Sequence, residues 1–387
     1  MVSQQRIFFD FLQFCIGAEA EIPASVKDAD WKVLYAIAKK QALIGVLFHG
    51  IKQLPKELAP DADLLMQWMG MAQRIRQQNV RLFMDSAKVC GKFKQAGFRC
   101  CILKGQGNAL LYPNPYMRTP GDIDIYLEGG RKRVMEYVNK VCPNQVMRYH
   151  HVDFPVMKTA IEVHFTPSYM FFPVHNRRMQ KWFGKVMDLQ CSNVVALPDG
   201  YGEITVPTES FNVVYILSHL YRHVFTEGIG LRQLLDYYFV LEKWHTDSTD
   251  FESNINNRTF DFAEQKELSA KSVRFVLENE LKHLGLWKFA KAVMYVLHDV
   301  FGLSEDKMIA PMDEKEGKFL LDEIMRGGNF GQHDTRLGSK DGEGKLHRYL
   351  RMNLRNLRFV RHYPTEALSE PVFRTWFALW KKTHGIR

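Results

Sequence analysis

Residues 101–128, CILKGQGNALLYPNPYMRTPGDIDIYLE, decide how this chain folds. An apolar run ending at Leu103 meets Lys104, Gly105, Gln106 and Gly107, and residues 108–112 then carry the pattern of one or two helical turns. That reads as strand, tight turn and short helix. Pro113, Pro115, Pro120 and Gly121 punctuate the next segment, which releases the chain into Asp122, Ile123, Asp124, Ile125, Tyr126 and Leu127. Strict alternation marks this run as a strand. Residues two apart on a strand point to one face and lie roughly 6 to 7 Å apart. Asp122 and Asp124 therefore project together, while Ile123 and Ile125 face the core.

Two like charges side by side need a compensating partner. A hard divalent cation such as magnesium takes oxygen ligands and is commonly held by one or two carboxylates plus substrate phosphates. On the pair alone, two solvated aspartates on a half-exposed strand are an equal reading. Three neighbours favour the cation. The glycine turn brings backbone N–H groups within reach of an anion, and a helix opens just after it with its positive end there. Lys104 and Arg118 place positive side chains on either side of the carboxylates, as a triphosphate site with a metal requires. Residues 159–165, TAIEVHF, form a second alternating strand with Glu162 and His164 on one face, and so offer a third carboxylate.

This ordered set resembles the nucleotidyltransferase superfamily of DNA polymerase β. More narrowly, LKG at 103–105, Tyr112 and Pro113, Arg118, GDIDIYL at 121–127, the pair His150 and His151, EVHF at 162–165 and HLYRHVFTEGIGLRQLLD at 219–236 are similar to a bacterial family of uncharacterised nucleotidyltransferases. The resemblance runs from about residue 103 to residue 236. It implies an α+β fold, with a small mixed-sheet nucleotidyltransferase core between N-terminal and C-terminal helical regions. It also implies metal-dependent transfer of a nucleoside monophosphate from a nucleoside triphosphate to a hydroxyl acceptor, with release of pyrophosphate. Asp122, Asp124 and Glu162 would be the catalytic, metal-binding carboxylates, for magnesium or alternatively manganese. Gly105 would be the phosphate-turn glycine, with Lys104, Gln106, Arg118 and Arg232 as nucleotide or phosphate contacts. His151, His164, His219 and His223 would stand around them. The wider superfamily usually has Ser directly after the turn glycine, where this chain has Gln106. That departure keeps a second reading open, a catalytically weak or inactive binding and regulatory module.

The remainder of the chain bounds the answer. Its 387 residues, 46% hydrophobic and 25% charged, suit two or three compact units of a globular protein and exclude a disordered one. Six cysteines, at 15, 90, 100, 101, 142 and 191, show no CxxC spacing, which disfavours a zinc site or a disulfide framework and leads us to expect a reducing, cytoplasmic setting. The opening residues imitate a cleavage site at Ala18 and Ala20, but Asp10 and Gln13 break the apolar run. Phe8, Phe11, Leu12 and Cys15 instead recur at helical spacing. No stretch approaches the roughly 18 apolar residues of a membrane span.

The organisation expected is an N-terminal helical region at 1–97, the core at 98–207, a helical domain at 208–326, and a loop with a basic helical region at 327–387. Helices are expected at about 25–53, 60–96, 131–141, 208–224, 231–244, 261–284 and 286–302. Strands are expected at 145–157 and 159–165, with His150 and His151 on opposite faces of the first. Residues 166–208, rich in proline and aromatics, are expected to be a lid or substrate loop with a hairpin around 198–202. His219 and His223 are one turn apart but lack the intervening Glu of a zinc-binding helix, so a pocket or core role is the better reading. Arg232 and Asp236, also one turn apart, are expected to pair. Charge is uneven. Of a net +9, residues 345–387 carry +8, from ten Lys or Arg against two acidic residues. Arginines at 348, 351, 355, 358 and 361 beside Leu346, Leu350, Leu354 and Leu357 predict a basic amphipathic helix. Its partner is open between RNA, anionic lipid, an acidic protein and plain solvent.

Overall fold

The computed structural model describes residues 2–244, 270–336 and 344–384. Four helices open the chain: α1 (Gln4–Ile16), α2 (Trp31–Lys40), α3 (Ile44–Ile51) and α4 (Ala62–Gln95). Three begin where a short polar side chain takes up free backbone N–H groups. Ser3 accepts from Arg6, Asp30 from Lys32 and Val33, and Asp61 from Leu64. The single helix expected over 25–53 is instead a short 3-10 turn followed by α2 and α3. Ala42 adopts a left-handed φ of 57° between them and ends the α2 ladder. Residues 62–95, by contrast, form one unbroken helix of 34 residues, roughly 50 Å long at 1.5 Å per residue.

The sheet has four short strands, β1 (Cys100–Ile102), β2 (Ile123–Leu127), β3 (His151–Asp153) and β4 (Ile161–His164). Their spatial order is β1-β2-β4-β3, with β2 and β4 parallel and both outer pairs antiparallel. The one-turn helix α5 (Gln106–Ala109) links β1 to β2, and α6 (Gly130–Val141) leads from β2 towards β3. Alternation separates two chemistries across the sheet. Ile123, Ile125, Val152, Ile161 and Val163 form a buried apolar face. This side of the core includes the ring of Phe93 from α4, 5.8 Å from Tyr137 of α6 and 5.3 Å from Phe154. The other face carries Asp124, Glu162, His164 and His151 in register.

The strand expected over 145–157 shortens to β3. A tight turn, closed by the Arg148 N–H donating to the His151 carbonyl, folds the preceding residues back. His150 lies in that turn and outside the alternation, so the two histidines meet instead of facing apart, His151 Nδ1 being 3.3 Å from His150 Nε2. The lid expected over 166–208 is largely ordered structure. It contains α7 (Pro173–Gln190), opened by a proline that needs no N–H partner there. The hairpin of β5 (Val194–Ala196) and β6 (Glu203–Thr205) follows at the expected place.

Thr208 caps α8 (Glu209–Thr226), and α9 (Leu231–Trp244) follows. The remaining helices are α10 (Ala270–His283), α11 (Trp287–Phe301), α12 (Glu314–Gly327), α13 (Lys345–Val360) and α14 (Pro364–Thr383). Residues 261–269 of one expected helix and 337–343 of the expected loop lie outside the described residues. The expected basic helix is α13, which turns three of its leucines outward while Phe359 and Arg355 are buried. Leu350, Leu354 and Leu357 are 50%, 66% and 59% exposed. Arg355 is buried and donates to the Val224 carbonyl, and Arg358 pairs with Glu323 at 3.0 Å. Carboxylates and carbonyls on the body of the protein draw the guanidinium groups inward, turning the leucines out. The six cysteines are free thiols. No described helix is long and apolar enough to cross a membrane. The architecture is α+β, a small mixed sheet between helical N-terminal and C-terminal regions.

Candidate active site

The turn after β1 sets the first group in place. The Leu103 N–H donates to the Asp124 carbonyl at 2.9 Å, continuing the β1–β2 pairing. Gly105 then takes a φ of 62°, a conformation that favours glycine. Between these two constraints, Lys104 extends over the polar face of the sheet. Its Nζ lies 3.2 Å from Asp124 Oδ2 and 2.9 Å from His219 Nε2. An ammonium only donates, so His219 accepts through Nε2. Burial and the neighbouring Lys104 charge hold its imidazole neutral, well below the usual histidine range. The helix expected to add a positive end here is a single turn, so the lysine supplies the charge that a longer dipole would have shared.

Strand register brings the carboxylates together. Asp124 stands opposite Glu162, and His164 Nε2 lies between them, 3.0 Å from Asp124 Oδ1 and 3.6 Å from Glu162 Oε2. His151 Nδ1 reaches Glu162 Oε2 at 3.3 Å. Ligand atoms of Asp124, Glu162 and His164 all fall within 4.8 Å of one another. Asp122 sits half-buried, one residue before β2. Burial would raise the Asp124 carboxyl, but the Lys104 ammonium and the hydrogen bond from His164 outweigh it and hold Asp124 below the usual carboxylate range. Asp122 feels Lys104 too, but less than the charges against it. Repulsion from Asp124, then burial, pushes it up to about 6. Burial, then the His164 charge, lowers His151 to about 3, which leaves it a neutral imidazole.

These residues fit a divalent cation. Asp122 carries repulsion that one lysine does not neutralise, and beside it Asp124, Glu162 and His164 form one of three groups of donors within 4.8 Å of one another, the others being His150, His151 and His164, and His151, Asp153 and Glu162. Asp122, Asp124 and Glu162 would hold the ion, with His164 fixing the carboxylates.

A small cavity of about 40 Å³ opens beside Asp122 and Asp124, lined also by Lys104, Gly105, Arg118 and Arg232. Arg118 is clamped by Asp236, with Nε at 2.8 Å from Oδ1 and Nη2 at 2.7 Å from Oδ2. The Tyr112 hydroxyl donates to the same carboxylate at 2.7 Å. Nη1 of Arg118 is left without a partner. This corrects the expected pairing of Arg232 with Asp236. Arg232 donates instead to the Thr119 carbonyl at 2.9 Å and lies 5.3 Å over the Phe330 ring. Gln106 is not on the cavity wall. It is 1% exposed and turned inward, with Nε2 3.4 Å from Asn79 Oδ1. His219 lines the cavity, His164 supports Asp124 on its wall, and His151 lies outside it, against Glu162. His223 stands back, against Arg222 and Glu227.

Three contributors escape sequence reading. Asn79 of α4 donates to the carbonyls of Tyr116 and Arg118 at 2.9 and 2.8 Å, and so fixes the loop that carries the arginine. Its signal is a polar residue on the inward stripe between Ile75 and Leu82. Arg222 is a charged residue buried on α8, and that burial is the signal that was passed over. Phe330 comes from a distant loop and leaves none.

A family model described as uncharacterised nucleotidyltransferase matches residues 27–261. No curated protein and no solved structure matches the chain. The matched stretch holds all three carboxylates, the lysine turn and both arginines of the small cavity, and the chain belongs to this uncharacterised nucleotidyltransferase family.

Proposed function

We propose that this protein binds a nucleoside triphosphate with magnesium, or manganese in its place, and transfers the nucleoside monophosphate to a hydroxyl, releasing pyrophosphate. The observation that carries this reading is Asp124 opposite Glu162 on one sheet face, with Lys104 against Asp124 and Asp122 beside it in the small cavity. The bound ions would stabilise charge on the attacking and leaving oxygens. The chain's own groups do the rest. Lys104 balances the carboxylates before substrate arrives, and then turns its charge to the phosphates. Arg118, held by Asp236 and with its Nη1 unpartnered, lines the same cavity, and Arg232 adds a second guanidinium. His164 keeps the Asp124 and Glu162 carboxylates at fixed separation.

The test is incubation with each α-labelled nucleoside triphosphate and magnesium or manganese, alone and with cell extract. A labelled product that vanishes in Asp122→Asn and Asp124→Asn proteins of unchanged far-UV spectrum supports transfer. A binding module is the second reading, favoured by the inward turn of Gln106 and the narrowness of the cavity. Metal-dependent nucleotide binding without product in any extract selects it.

A further inference from the structure

Past Glu162 a much larger cleft opens, about 770 Å³, between the β3–β4 edge, α8 and α14. We propose that this cleft receives the acceptor, and that the acceptor is a nucleoside phosphate, free or at the end of a single strand. The proposal rests on the transfer reading above.

Position comes first. Asp122 and Asp124 line the small cavity only, whereas Glu162 and His151 line the cleft, so the carboxylate set forms the partition between the two spaces. In phosphoryl transfer the attacking and leaving oxygens are roughly in line through phosphorus, so donor and acceptor must approach from opposite sides. The acceptor hydroxyl oxygen bonds to the α-phosphorus and the bond from that phosphorus to its bridging oxygen breaks. Pyrophosphate leaves with the electron pair, and the hydroxyl proton passes to water in the cleft.

Charge comes second. Arg148, Lys381 and Lys382 line the cleft, and none pairs with a carboxylate among the described residues. Arg222 is buried, and its guanidinium meets the imidazoles of His219 and His223, at 3.4 and 3.0 Å, and Tyr169, whose ring centre lies 5.2 Å away. Its Nε has no partner. Among the described residues no carboxylate lies within ion-pair distance of Arg222, although Glu227 feels its charge; a buried cation without a close partner is costly, and an anionic ligand reduces that cost. The acids of the cleft are otherwise engaged, Glu370 with Arg374 and Asn356, and Glu227 with His223.

The rings come third. Tyr149, Phe373 and Phe377 are half-buried in the wall, with Tyr149 centred 4.9 Å from Phe373 and 5.6 Å from Phe377. Cations that follow a backbone beside aromatic faces that stack bases are how single strands are held. The volume lies within the usual range for a bound small molecule. The wall given by α14 also lies beyond the family match, which ends at residue 261, so acceptor choice is built from a part of the chain that the family model does not cover.

The experiment uses the full chain and a 5′-fluorescein hexauridylate with a free 3′ hydroxyl, followed by anisotropy, with uridine monophosphate as competitor. Nucleoside triphosphate binding with manganese is measured separately by equilibrium dialysis. The comparison protein is the Arg148→Glu, Lys382→Glu double variant, both positions being exposed. We expect at least a tenfold loss of hexauridylate binding, a log–log salt slope shallower by about 1.4 for two lost phosphate contacts, and unchanged triphosphate binding. Displacement by equimolar monophosphate supports a free nucleotide as the acceptor, and tightening with strand length supports a strand end. If triphosphate binds but neither RNA nor monophosphate does, the acceptor class is overturned while the transfer reading stands. Equal RNA binding by the double variant overturns the site. Absence of triphosphate binding in the unaltered protein overturns the transfer reading, and this proposal with it.

Discussion

Replacing Asp236 with alanine should cost this fold several kcal/mol, although the residue is not among the carboxylates of the site. Its side chain is 8% exposed and that of Arg118 is 4% exposed, and the two are joined by two hydrogen bonds of 2.8 and 2.7 Å. No other carboxylate forms an ion pair with Arg118 among the described residues. Removing one partner of a buried pair typically costs about 3 to 5 kcal/mol, because the other charge stays buried and unpaired. The Tyr112 hydroxyl loses its acceptor as well, about 1 kcal/mol that does not simply add. At roughly 2 to 4 °C per kcal/mol for a large domain, melting should fall by about 6 to 20 °C. Thermal unfolding followed by circular dichroism at pH 7.5 measures this. A paired Arg118→Met, Asp236→Leu protein should recover much of the loss, since two apolar groups leave no orphaned charge. Arg118 holds the folded carboxyl of Asp236 below its ordinary value despite burial. The contribution is therefore complete above about pH 4, the unfolded value, and declines only as pH falls below it. A single Asp236→Ala protein that melts within 2 °C of the unaltered one would refute the reasoning.

Other outcomes follow from the same geometry. Lys104→Met should tighten manganese binding in the absence of nucleotide, on the order of tenfold, because it removes a cation 3.2 Å from Asp124; electron paramagnetic resonance titration reads the change, and weaker binding would contradict it. Without metal, Asp122→Asn should melt higher than the unaltered protein at pH 7.5. The folded carboxyl is raised to about 6, so its stabilising contribution is complete below about pH 4 and is lost as pH rises through 6. The difference should shrink on acidification in chelator, and a lower melting point for the variant at pH 7.5 would count against the assigned repulsion. Gly105→Ala should lower the denaturant midpoint by about 1 to 2 kcal/mol of stability, the cost of a side chain at positive φ. An unchanged midpoint would show that the turn relaxes.

Strand β2 was legible because its pattern is short-range. Asp122 to Leu127 alternates strictly, and the two faces of β2 need nothing distant to explain them. Thr208 and Asp61 likewise mark helix starts through a neighbour three residues away, whereas Asp30, which opens α2, lies inside a helix expected from residue 25. What failed depends on partners far along the chain. Asp236 lies one turn from Arg232 but takes Arg118, 118 residues earlier, because Asn79 has already fixed the loop that delivers it. The orientation of α13 turned on Glu323 and Val224, neither of which is visible from the spacing of its own leucines and arginines. The α7 helix was readable in principle. Pro173 stands at its first position, yet the proline and its aromatic neighbours suggested a loop. His150 and His151 misled by assuming a regular strand across a turn.

The unbroken α4 has a mechanical consequence. Near its start Trp68 donates to the Ile44 carbonyl and rests against Trp31 and Tyr35, and near its end Phe93 lies under the sheet beside Phe154. Asn79, between them, grips the loop of the active-site arginine. A rod fastened at both ends and in the middle leaves no hinge on which the first sixty residues can swing. A protease cutting in that region should not release a trimmed yet active remainder, because the cut would strip one end of the beam on which the arginine loop is mounted.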